Sequence, residues 1–182
     1  GAAFPWLTAG GGIAAAEPQP IIIDDFSTPQ AEIAIFQPGT RSASAVTSAG
    51  ILGGARVISA EHTGTTTANS FFWVGVKDGY YYSSRQINGQ GNGAIWWHGN
   101  TNTETLNPTG LGGVDLTGGG YWNGFAIVAG RNGMQNNVVV TVYTDGTHYS
   151  TTSFMPPFTP VNSEPHDTVR LPFAGFTAAG PD

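Results

Sequence analysis

From residue 21 onward the apolar residues of this chain come in short runs separated by Gly, Asn, Asp and Pro, and nowhere do they hold a 3.6-residue period over three turns. The pattern predicts strands and almost no helix. Apolar or alternating runs over 21–24, 31–36, 56–60, 70–76, 80–85, 93–98, 125–129, 137–144, 148–154 and 168–173 recur at roughly ten-residue spacing, the rhythm of a β-sandwich. Asp78-Gly79, Asn88-Gly89, Asn92-Gly93, Asn123-Gly124, Asn132-Gly133 and Asp145-Gly146 offer the positive φ values that tight turns require. The last of these makes the clearest hairpin, joining 137–144 to 148–154. In the first of those strands Val138, Val140 and Val142 alternate with Val139, Thr141 and Tyr143, and the all-valine row is expected to face the core. The second, in which Tyr149, Thr151 and Ser153 alternate with Ser150 and Thr152, is polar enough to be expected near a sheet edge.

Residues 1–20 differ in kind. They carry one charge, Glu17, a triple glycine at Gly10, Gly11 and Gly12, and bulky apolar groups at Phe4, Trp6, Leu7 and Ile13. The chain is therefore divided into an extended N-terminal segment, 1–20, and an all-β domain of sandwich or jelly-roll type, 21–182. Such an apolar segment is not expected to stay solvated alone. Extended, it places Phe4 and Trp6 on one face and Leu7 on the other. Burying Phe4, Trp6, Leu7 and Ile13 at about 1.5–3 kcal/mol each favours docking by roughly 6–12 kcal/mol before entropy. Laid along a sheet edge, the segment also pairs its backbone groups. The surface that receives it belongs either to the same chain or to a neighbouring copy.

Composition narrows the class. A length of 182 residues suits one domain. Only 10% of residues are charged, against roughly 25% in ordinary soluble domains, and 27 glycines with abundant Thr, Ser, Asn and Gln make the polar surface instead. That is the profile of a secreted, extracellular β protein, and an opening at Gly1 with no Met and no basic-then-apolar leader is read as a mature chain. The net charge of -6, with one lysine and five arginines, argues against nucleic acid and anionic membranes as partners. No stretch approaches the ~20 apolar residues of a membrane-spanning helix. Without cysteine there is no disulfide, thiolate metal site or cysteine nucleophile.

The chemistry-bearing residues form no recognisable catalytic pattern, so the chain is not read as an enzyme. Asp24, Asp25, Glu61, Asp78, Glu104, Asp115 and Asp145 show no spacing that marks a carboxylate pair across a cleft. His62, His98, His148 and His166 are isolated from one another. Gly89, Gly91 and Gly93 lack the following helix of a phosphate loop and read as turn glycines. The informative residues are the aromatic clusters Phe71-Phe72-Trp73, Tyr80-Tyr81-Tyr82, Trp96-Trp97 and Tyr121-Trp122. One ring of each strand doublet points inward and its neighbour outward. The outward members, assigned as Trp73, Tyr81, Trp97 and Trp122, are interface contacts, platforms for sugar rings, or ordinary cross-strand pairs.

Three patches carry a resemblance: Ile22-Ile23-Asp24-Asp25-Phe26, Gly110-Leu111-Gly112-Gly113-Val114-Asp115-Leu116-Thr117, and Val169-Arg170-Leu171-Pro172-Phe173-Ala174-Gly175-Phe176. Together they resemble bacterial secreted surface and matrix proteins that often bear a C-terminal sorting anchor of the PEP type, with a domain similar to carbohydrate-binding jelly rolls. The resemblance implies a surface or matrix protein. Binding modules of the resembled type often hold a structural calcium ion near the first strand, for which Asp24 or Asp25 could supply oxygen ligands; the other reading of these two residues is ordinary turn aspartates, and no other cofactor is expected. Such domains continue past the Leu-Pro-Phe-x-x-Phe segment with another strand, and this chain is expected to lack it and to leave an open edge. An open edge and an apolar tail match as acceptor and donor. The first expectation is thus a secreted subunit that polymerises by inserting Phe4 to Ile13 into the next copy. The alternative is a carbohydrate-binding module that takes polysaccharide on its exposed aromatic rings.

Overall fold

The computed structural model describes residues 19–64, 70–86, 89–131, 137–158 and 167–180. The chain is all-β, as the pattern predicts: eleven strands and two short 3-10 turns are present among the described residues. Phe4, Trp6, Leu7 and Ile13 lie outside them. No helix among the described residues is long and apolar enough to cross a membrane.

The first half is a sandwich of two antiparallel three-stranded sheets. One sheet has β1 (Gln30–Ile35), β4 (Phe72–Lys77) and β5 (Tyr80–Arg85) in the order β1-β4-β5. The other orders β2 (Arg41–Thr47), β3 (Ala55–His62) and β6 (Gly91–Trp96) as β2-β3-β6. Ile35, Phe72, Val74 and Val76 from the first sheet meet Ile58 and Ala60 from the second in one buried cluster, with Tyr81 and Ile95 packed against it. Gly91 and Gly93 make this contact close. They sit in β6, opposite His62 and Ala60, where a Cβ would collide with the Phe72 ring and the Tyr81 hydroxyl respectively. They are packing glycines within a strand, not the turn glycines expected, because two large rings from the facing sheet occupy their side-chain space.

The tightest turn is Asp78-Gly79, where φ values of 55° and 80° close the β4–β5 hairpin between Lys77 and Tyr80. The Asp145-Gly146 hairpin also forms, joining β8 (Val138–Tyr143) to β9 (Tyr149–Phe154). It is a wider loop, held by the Asp145 carboxylate, whose Oδ1 accepts the Thr147 and His148 N–H groups at 2.8 Å each. Those bonds, with His148 Nδ1 at 2.7 Å from Oδ2, hold the Asp145 carboxyl well below the usual carboxylate range.

The second half contains a β7 (Gly124–Ala129) pair with β10 (Asp167–Pro172) and a three-stranded sheet in the order β11-β9-β8. β11 (Thr177–Ala179) follows the Leu-Pro-Phe-x-x-Phe segment and pairs with β9. Two expectations are thereby corrected. The strand after that segment is present, and β9 is the middle strand of its sheet. Three small residues are too short a run to register as a strand in the sequence, and they supply β9 with its second neighbour. Phe173 and Phe176 turn over Phe125, with ring centroids 5.2 and 5.8 Å away, which accounts for that motif as a corner packed on β7.

Candidate functional site

The buried chemistry of the first half is structural. Arg56 interrupts the apolar run of β3 and is fully buried. Its Nη1 donates to both oxygens of Asp24 at 2.9 and 3.1 Å, its Nε donates to Gln30 Oε1 at 3.0 Å, and its Nη2 to the Thr28 carbonyl. Asp24 also accepts the Trp97 indole N–H at 2.8 Å and the Phe26 backbone N–H at 2.8 Å. Phe26, held at a φ of 55°, lies between the Arg56 guanidinium and the Trp97 ring. With its oxygens taken by a cation and two N–H groups, Asp24 is not free to serve as the calcium ligand expected of it. Asp25 is exposed and accepts the Ser27 N–H at 2.9 Å, and its pKa is lowered by its hydrogen bonds with Ser27. Among the described residues no three His, Asp or Glu side chains come together as a metal site.

Segment 21–24 is correspondingly not a strand. Asp24 makes only an isolated bridge to Ile51, because its side chain turns the chain back at Phe26. Two histidines are held within the fold: His62 Nε2 lies 2.8 Å from the Ser70 hydroxyl, and buried His98 accepts the Asn107 N–H on Nδ1 at 2.9 Å, while His166 lies outside the described residues. Burial lowers the His98 pKa.

The four aromatic residues singled out in the sequence part company. Tyr81 is corrected: it faces the core, with its hydroxyl buried over Gly93, and burial pushes its pKa up. The outward members of that triplet are Tyr80 and Tyr82. Trp97 is corrected as well, since its ring and its N–H are taken up by Phe26 and Asp24. Trp122 is half-buried over Gly118 and edge-on to Tyr121. Trp73 does lie on the outer face of the β1-β4-β5 sheet, between Ala34 and Ser84. There it stacks on Phe71 at 4.5 Å, which in turn meets Phe36 at 5.6 Å, and Phe36 is 66% exposed. Further along the same face Tyr82 lies over Gly75 and donates to Glu32 at 3.2 Å, beside an open hollow of about 300 Å³. The signal for Phe36 was in the sequence, because it shares strand parity with Ala34. Its partnership with Phe71 depends on the β1–β4 register.

The second half has a different character. Nine of the ten buried hydrophobic residues precede residue 77, and Leu171 is the one that follows it among the described residues. Val138, Val140 and Val142 do form the more covered row of β8, as expected, yet all three are only half-buried. Across from them Thr152 and Phe154 of β9 are half-buried too, while Val128, Val139, Met155 and Phe158 are exposed. An open hollow of about 460 Å³ lies over the other face, lined by Val139, Thr151, Ser153 and Thr177 among others. β8 pairs with β9 alone among the described residues, none of which pairs its other edge.

The fold and these surfaces define the class, an all-β sandwich protein whose described residues fill its interior unevenly. No protein-family model, curated protein or solved structure matches the chain.

Proposed function

We propose that this protein is a secreted structural subunit that assembles with copies of itself into an extracellular filament or matrix, the apolar N-terminal segment of one copy completing the second half of the next. The observation that carries this reading is the uneven core. Among the described residues one half buries nine hydrophobic residues and the other buries one, although the second half contains a valine row patterned for burial, with Phe154 opposite Val138. A sheet patterned for a core that the described residues do not complete is what a donor segment supplies. The chain holds such a segment in Phe4, Trp6, Leu7 and Ile13.

Deleting residues 1–18 is expected to convert assembled material into soluble monomers, read by electron microscopy and sedimentation. Filaments of unchanged morphology from the truncated chain would remove the mechanism. A full-length protein that stays monomeric at high concentration would remove the whole reading.

A second reading, binding of polysaccharide, is favoured by the Phe36, Phe71 and Trp73 ladder with Tyr82 beside it. Flat apolar rings edged by hydroxyl and carboxylate groups suit pyranose faces and their hydroxyls. Trp73→Ala is expected to lower retention in affinity electrophoresis through a polysaccharide gel by about tenfold, the equivalent of one ~1.4 kcal/mol contact. Retention equal to that of the unmodified protein would count against the ladder as the site.

A further inference from the structure

We infer that the acceptor for the donor segment is the edge of β8 that no described strand pairs, and that its occupant is residues 4–8 of a second copy of this chain. The inference rests on the assembly reading and specifies its contact. Natural sheets guard their exposed edges with charges, prolines, bulges or short strands. Most edges of this molecule are guarded in that way. β1 carries Glu32 and a bulge between Gln30 and Ile33, β2 carries Arg41, and β5 carries Arg85. β6 is weakened by Gly91, Asn92 and Gly93, β10 carries Asp167, Arg170 and Pro172, and β11 has three residues. β8 has none of these devices. It reads Val-Val-Val-Thr-Val-Tyr, is in unbroken register with β9, and presents six residues of strong strand preference. β7 is also uncharged, but Gly124 and two alanines make it a poorer template.

The donor's own sequence fixes how it would lie. Pro5 has no N–H, so it must turn its backbone away from the acceptor, as prolines on edge strands do. Phe4 and Trp6 then direct their backbone groups toward β8. Their side chains share one face, and set beside Val138, Val140 and Val142 they cover the row that the single chain leaves half-buried. Leu7 falls on the opposite face, with Val139 and Thr141. Pro5 on the outside leaves the completed sheet with a guarded edge, so each acceptor takes one donor and the sheet stops there.

The absence of cysteine makes the contact directly readable, since any disulfide must come from an introduced pair. Ala3→Cys, Pro5→Cys and Leu7→Cys, each combined with Thr141→Cys or Val139→Cys, are oxidised mildly after assembly and run on a non-reducing gel. At least one pair in each acceptor series is expected to give a ladder of covalent multimers, while the same donors combined with Val128→Cys on β7 give none. Val139 and Val128 are about 60% exposed, at 61% and 60%, and Thr141 is exposed, so the substitutions leave the interior untouched. A ladder from the Val128 pairs, a cross-link confined within single chains, or no ladder from either β8 position overturns the assignment. If the chain lacking residues 1–18 is monomeric and yet the β8 pairs fail, the assembly reading stands and only the acceptor edge is wrong. If that truncated chain still assembles, the assembly reading itself falls.

Discussion

Replacing Arg56 with alanine is expected to lower the unfolding free energy by about 3–5 kcal/mol, read as a fall in the denaturation midpoint with the slope of the transition unchanged. The guanidinium is fully buried, and the Asp24 side chain it binds is 2% exposed. Without Arg56, Asp24 keeps the Trp97 and Phe26 N–H groups but loses the only cation bonded to its carboxylate among the described residues. Gln30 and the Thr28 carbonyl lose donors in the same step. An apolar replacement of both charges is expected to cost far less than removal of one, because the expense lies in the uncompensated charge rather than in the lost pair. A loss below about 1 kcal/mol for Arg56→Ala would place the pair in the weak, solvent-screened class and contradict its burial.

Truncating Ile58 and Val140 to alanine separates the two halves of the molecule. Ile58 is fully buried between the sheets of the first sandwich, and its removal leaves a cavity worth about 2–5 kcal/mol. Val140 is half-buried in the single chain, so Val140→Ala is expected to cost less than half as much in the monomer. On the assembly proposal the same change is expected also to weaken the contact of each copy with the next. A Val140→Ala cost equal to that of Ile58→Ala in the monomer would mean that the second half is filled within one chain and needs no donor.

Much of the fold was legible in the residues because strand burial alternates locally. The predicted run 80–85 coincides with β5, the valine row of β8 faces as expected, and the hairpin at Asp145 closes where its turn residues stand. The gaps have physical causes. β2 reads Arg-Ser-Ala-Ser-Ala-Val-Thr and shows no apolar run, since its inward positions hold small residues where Gln30 reaches across to Ser44. Gly91 and Gly93 look like turn residues until Phe72 and Tyr81 arrive from the other sheet. Tyr81 and Trp97 were assigned to the surface because parity within a cluster cannot tell which member faces the core until one residue of the strand is placed.

The all-β character, the positions of most strands and the oddity of the apolar N-terminal segment follow from composition and from side-chain periods that span a few residues. The loss of Asp24 to Arg56, the aromatic ladder on one outer face, the centring of β9 and the place of β8 at the end of its sheet among the described strands all depend on which strands become neighbours. Those pairings join residues tens of positions apart, Asp24 with Trp97 and Phe36 with Phe71 among them, so no local window of the chain contains them.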